Sequence, residues 1–156
     1  MSIAEGDPAP DFTLPASGGR TVSLSAMKGK PFILYFYPKA DTPGCTKEAC
    51  AFEEAGVTLG KMGLNVIGVS PDKMKPIETF ADKYSLRFPL ASDADHAVAE
   101  AYGCWVEKSM YGRKYMGIDR STFLIDAEGK IAKAWRKVSV TGHVDAVLKA
   151  ARELGA

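Results

Sequence analysis

Two short runs of consecutive apolar residues mark the interior of the chain, Phe32-Ile33-Leu34-Tyr35-Phe36-Tyr37 and Leu64-Asn65-Val66-Ile67-Gly68-Val69-Ser70. Both are rich in aromatic or β-branched side chains and both end at a proline, so each predicts a buried strand. Other stretches repeat their apolar positions every three or four residues. Ala49, Phe52, Ala55 and Leu59 do so within 43–62, Ile77, Phe80, Ala81 and Tyr84 within 72–84, and Val144, Val147, Leu148 and Ala151 within 141–154. Each predicts a helix with one apolar face, the first interrupted once near Gly56 or Gly60. Residues 93–102 predict a further helix with its cap at Ser92/Asp93 and its stop at Gly103.

The remaining pattern is weaker. Phe12-Thr13-Leu14 and Thr21-Val22-Ser23-Leu24 flank Gly18-Gly19 and predict a small N-terminal hairpin, and 86–90 predicts a short strand. Residues 104–119 show no clear period and are assigned to a loop. Thr122-Phe123-Leu124-Ile125-Asp126 and Lys130-Ile131-Ala132-Lys133-Ala134-Trp135 predict a hairpin turning at Ala127-Glu128-Gly129. The order β-α-β-α predicts parallel strands joined by right-handed crossovers, hence an α/β fold. At 156 residues the chain suits one domain, 1–156, able to bury a core without staples.

Charge and cysteine usage narrow the chemistry. Lys plus Arg number 20 against 19 for Asp plus Glu, without blocks of either sign, which argues against nucleic-acid or membrane-surface binding. No apolar stretch approaches the roughly 20 residues of a membrane helix, and the start, Met1 to Asp7, lacks a basic segment followed by an apolar one. The expected location is the cytoplasm. There, three cysteines are reactive or inert thiols instead of structural disulfides.

The stretch between the first apolar run and the first helix, Pro38-Lys39-Ala40-Asp41-Thr42-Pro43-Gly44-Cys45-Thr46-Lys47-Glu48-Ala49-Cys50, concentrates the candidate chemistry. Thr42 suits the N-cap and Pro43 the first helical position, which puts Cys45 in the first turn, where free backbone N–H groups favour a thiolate. Gly44 lets another group approach closely, and Arg120, just before a predicted strand, is the candidate cation. Cys50 lies about 140° around the helix and ~7.5 Å along it from Cys45. The Cα atoms are then too far apart for a disulfide on an intact helix. Glu48, one turn from Cys45, either pairs with Arg120 or faces solvent.

Pro38-x3-Thr42-x2-Cys45 with Cys50, followed by Arg120-Ser121-Thr122-Phe123-Leu124-Ile125-Asp126, resembles the peroxiredoxins of the PrxQ or bacterioferritin-comigratory-protein subfamily. The likeness extends to Gly6-Asp7-x-Ala9-Pro10-Asp11-Phe12, Val66 to Asp72, and Tyr102-Gly103-x-Trp105-x-Glu107-Lys108. It implies a thioredoxin-like fold, a central mixed β-sheet flanked by helices with an N-terminal hairpin extension. It also implies a peroxidase for hydrogen peroxide and small organic hydroperoxides that uses no metal, haem or flavin. Cys45 would be the peroxidatic thiolate that becomes a sulfenic acid, Thr42 would hold the peroxide, and Arg120 would stabilise the developing charge. Pro38 would exclude water. Cys50 would resolve the sulfenic acid as an intrachain disulfide, recycled by a thioredoxin-type dithiol, with the chain a monomer or at most a weak dimer. Glu48 matches a position that is often acidic or amide in the subfamily.

Two rival readings are a thioredoxin-like disulfide reductase, against which the four-residue Cys45–Cys50 spacing speaks, and a redox sensor or binding module using the same switch. Cys104 is assigned to packing, with an alternative resolving role open. His96 and His143 are assigned to solvent-facing positions, too few for a metal site. Met110, Tyr111, Tyr115 and Met116 are assigned to packing under a loop, the alternative being an apolar collar for organic hydroperoxides.

Overall fold

The computed structural model describes residues 3–154. The N-terminal hairpin pairs β1 (Thr13–Ala16) with β2 (Arg20–Ser23), and the first apolar run forms β3 (Phe32–Phe36). A turn leads into α1 (Pro43–Lys61), then β4 (Asn65–Ser70), α2 (Met74–Lys83), β5 (Leu90–Ser92) and α3 (Ala97–Ala101). Next come β6 (Trp105–Met110), β7 (Arg113–Ile118), β8 (Ser121–Ile125), β9 (Ile131–Trp135) and α4 (His143–Glu153).

Seven strands form one sheet in the order β2-β1-β5-β4-β3-β8-β9, with β6 and β7 paired apart from it. The β3–β4 and β4–β5 pairs are parallel, whereas β8 runs antiparallel to both β3 and β9, so the sheet is mixed. Every residue of β3 is buried, because the sheet is covered on both faces. Alternation divides them: Phe32, Leu34 and Phe36 enter one cluster with Ile67, Val69, Phe123 and Tyr102, while Ile33 and Tyr35, with Tyr37 just after the strand, enter the other. The second cluster is closed by Phe52 and Leu59 of α1, Ile77 and Phe80 of α2, and Val144 and Val147 of α4. No described helix is long and apolar enough to cross a membrane.

Several expectations are corrected. Residues 104–119 are not a loop but the β6–β7 hairpin, which reverses at Tyr111 and Gly112, both left-handed with φ of 53° and 78°. The hairpin stands outside the main sheet, so its side chains need no apolar–polar alternation. Met110, Tyr111, Tyr115 and Met116 are accordingly exposed and pack no core. The short strand begins at Leu90, not 86, because the chain first closes α2 through the Leu86 N–H on the Ala81 carbonyl (2.9 Å). Helix α1 runs unbroken past Gly56 and Gly60. Helix α3 is shorter than expected, yet Asp93 does cap its start, accepting the Val98 and Ala99 N–H groups at 3.2 and 2.8 Å.

Candidate active site

The site forms where three chain segments meet at one end of the sheet. β3 and β8 are antiparallel with Phe36 opposite Ser121, so the end of β3 lies beside the start of β8. The turn leaving β3 carries Pro38 and Thr42 into α1, and Arg120 immediately precedes β8. The register thus delivers Arg120 to the first turn of α1 by an antiparallel pairing.

Thr42 is extended (φ −98°, ψ 154°) and occupies the N-cap, with Pro43 first in the helix. Its side chain caps no N–H, contrary to the usual use of threonine there. The Thr42 hydroxyl instead donates to the Lys39 carbonyl at 2.9 Å, which leaves its lone pairs free to accept. Pro38 and Thr42 are half-buried, and Cys45 is buried at 2% exposure.

Arg120 joins the acidic and thiol groups. Its Nη1 donates to Glu48 Oε1 at 2.7 Å and its Nη2 to Cys45 Sγ at 3.2 Å. A Cβ at Gly44 would come within 3.3 Å of Arg120 Nη2, so the glycine makes room for the guanidinium. The guanidinium thus places an N–H donor on the sulfur at the first turn of α1. Glu48 is wholly buried, and its second oxygen, Oε2, has no hydrogen-bond partner among the described residues. Burial pushes its carboxyl up to about 7, against the pull of Arg120. Of the two placements open to Glu48, the pairing with Arg120 is the one observed. Burial also raises the phenols of Tyr35 and Tyr37, which keeps both as O–H beside this cluster.

Cys50 is on the same helix but turned away from this cluster. It is half-buried and free, and burial followed by the charges of Glu54 and Glu53 pushes its thiol up. Cys104 is fully buried, donates weakly to the Tyr102 carbonyl at 3.7 Å, and is pushed up to about 11, chiefly by burial. His143 is not solvent-facing: it is buried, with Nε2 at 2.8 Å from Thr122 Oγ1. Its place beside β8 was hidden from the sequence, because the contact spans two elements distant along the chain. His96 is half-buried and stacks on Trp105 at 4.1 Å. Among the described residues no cluster of His, Cys, Asp and Glu could hold a metal ion.

Comparison with known proteins gives the family of the chain. The AhpC/TSA family profile matches residues 5–134. The chain belongs to the AhpC/TSA family. The peroxiredoxin Bcp of Bacillus subtilis is 46% identical over 154 residues, 99% of this chain and 98% of that protein. A solved structure of the Xanthomonas campestris bacterioferritin comigratory protein, a study of its alkyl peroxide reduction activity, is 43% identical with a TM-score of 0.89, covering 93% and 92% of the two chains. A cysteine-to-serine variant of Xylella fastidiosa PrxQ is 34% identical with a TM-score of 0.94, covering 100% and 99%. The thioredoxin-like peroxiredoxin fold and the PrxQ/Bcp group are thereby established. This AhpC/TSA enzyme is a thiol peroxidase.

Proposed function

We propose that this peroxiredoxin reduces hydrogen peroxide and small organic hydroperoxides through Cys45, with Cys50 as the resolving thiol and a thioredoxin-type dithiol as the reductant. The observation that carries the reading is the Arg120 fork, with one N–H on the Cys45 sulfur and another on Glu48. The Cys45 thiolate attacks the terminal oxygen of the hydroperoxide, an S–O bond forms, the O–O bond breaks, and the departing oxygen takes a proton to leave as water or an alcohol. Arg120 is placed to stabilise the oxygen charge that develops as that bond breaks. Thr42, its own hydrogen already donated to Lys39, is suited to accept one from the peroxide, and Pro38 limits water at the turn. The alkyl peroxide reduction described for the Xanthomonas relative supports this substrate class.

In the second step the Cys50 sulfur attacks the sulfenic acid, a disulfide forms and water leaves. Both cysteines lie in α1, about 140° apart around its axis, so the start of the helix must unwind first. A dithiol then reduces the disulfide. With both thiols in one chain, a monomer suffices, and we assign the whole of 1–156 to this one domain, acting in the cytoplasm.

Reduced protein treated with one equivalent of peroxide and analysed by mass spectrometry tests the scheme. A Cys45–Cys50 disulfide is expected, Cys45→Ser should consume no peroxide, and Cys50→Ser should stop at one sulfenic acid and lose turnover with thioredoxin. Full activity of Cys45→Ser would sink the assignment, and a Cys45–Cys104 link would move the resolving role.

A further inference from the structure

Asp41 precedes the catalytic helix and takes no part in the Arg120 cluster, yet it is bound on two sides. Its backbone is left-handed (φ 60°), a conformation that aspartate tolerates better than most residues. Its carboxylate accepts from Lys83 Nζ on Oδ2 and from the Tyr84 hydroxyl on Oδ1, both at 2.8 Å. At the other end of the same stretch, Glu53 accepts from the Arg87 backbone N–H and from Arg87 Nε, both at 2.7 Å. Residues 42–52, which include Thr42, Cys45, Glu48 and Cys50, therefore lie between two carboxylates that grip one short segment, 83–87.

That segment is a firm anchor. It closes the end of α2 through a left-handed Ser85 (φ 53°) and the bond from Leu86 to Ala81, and Leu86 is buried. The two grips are not equivalent. Glu53 sits within α1, with helix on either side, whereas Asp41 holds the end where the first backbone N–H groups lack helical partners. Unwinding that begins at the helix start must release Asp41 first. The bond from Lys83, and then that from Tyr84, hold the Asp41 carboxyl below its ordinary range, so it is charged at neutral pH.

We infer that Asp41, held by Lys83 and Tyr84, is a positioning residue that sets how often the start of α1 unwinds. It thereby sets the share of Cys45 sulfenic acid that Cys50 captures before a second hydroperoxide arrives. In the competing step a second S–O bond forms at Cys45, another O–O bond breaks, and water or an alcohol leaves, giving a sulfinic acid that Cys50 cannot reverse. The inference rests on the reading that Cys45 and Cys50 join after local unwinding.

The test compares full-length wild type, the double variant Lys83→Met/Tyr84→Phe, and Lys83→Arg, which keeps a cationic donor. Each is reduced, mixed with hydrogen peroxide, quenched with a thiol-blocking reagent and mapped by mass spectrometry, and amide exchange is followed in parallel. In the double variant, disulfide formation and exchange of residues 42–52 should both rise roughly three- to fivefold, as expected for an exposed charged pair. The peroxide dose giving half sulfinic acid should rise with them, while exchange in β3 and β4 and the first reaction with peroxide stay at wild-type values. Lys83→Arg should behave as wild type. Equal disulfide rates in wild type and double variant would overturn the role of Asp41, as would faster exchange throughout the sheet. A wild type that never forms the Cys45–Cys50 link would instead overturn the underlying reading.

Discussion

Glu48 is the residue whose surroundings differ most from those of an ordinary helical glutamate. One oxygen is held by Arg120 at 2.7 Å, the other is buried without a partner, and burial lifts the carboxyl from 4.5 to about 7. An unfolded chain releases this proton near 4.5 and the folded protein near 7, so between those values the folded state binds more protons. Stability from this group therefore falls as pH rises from about 4.5 to 7 and is level above. Glu48→Gln keeps an oxygen to accept from Arg120 and has no proton to lose. Its melting temperature relative to wild type should climb by a few degrees across that window and then level off, as followed by calorimetry at a series of pH values. A pH-independent difference would show that Glu48 is already ionised in the folded protein across that window. The sequence placed Glu48 one turn from Cys45 but left its partner open, because only the pairing of β8 with β3 decides where Arg120 arrives.

At the scale of elements, β4 shows how the sheet makes room for the site. Gly68 lies opposite Tyr35 in the parallel β3–β4 pair, and a Cβ there would come within 2.8 Å of Leu90 Cδ2 and 2.9 Å of Tyr35 Cζ. The missing side chain lets Tyr35 lie flat and stack on Phe52 of α1 at 4.7 Å. Gly68→Ala should cost about 1–3 kcal/mol in urea unfolding, the usual range for overpacking, and a near-wild-type midpoint would show that Tyr35 moves aside freely. Elements of this kind were legible in the sequence, since β3 and β4 bury both faces and read as continuous apolar runs, while α1, α2 and α4 each bury a face whose period appears in the residues. The β6–β7 hairpin was not, because a ribbon with solvent on both faces needs no apolar alternation, and only Gly112 marked its turn. The start of β5 was displaced because the closing turn of α2 uses Leu86 as a buried plug, an apolar residue that reads as strand.

Across the whole molecule, the helix face of the sheet is drawn together by a buried histidine at the start of α4. His143 bonds Thr122 of β8 and stands edge-on to Phe52 of α1 at 6.3 Å and to Trp135 of β9 at 5.8 Å. Burial, and then the charge of Arg120, lower it from 6.5 to about 4. The unfolded chain takes up this proton near 6.5 and the folded protein only near 4, so stability from His143 is complete above 6.5 and lost as pH falls toward 4. That sign is opposite to Glu48, and both groups feel Arg120. Between about 4.5 and 6.5 the two contributions offset each other, and wild-type stability should vary little over that window. Single variants should uncover each term. Glu48→Gln should lose stability on acidification through the histidine, whereas His143→Gln, which can still bond Thr122, should gain stability through the glutamate. Slopes of opposite sign are the expected outcome, and parallel slopes in the two variants would refute the opposition.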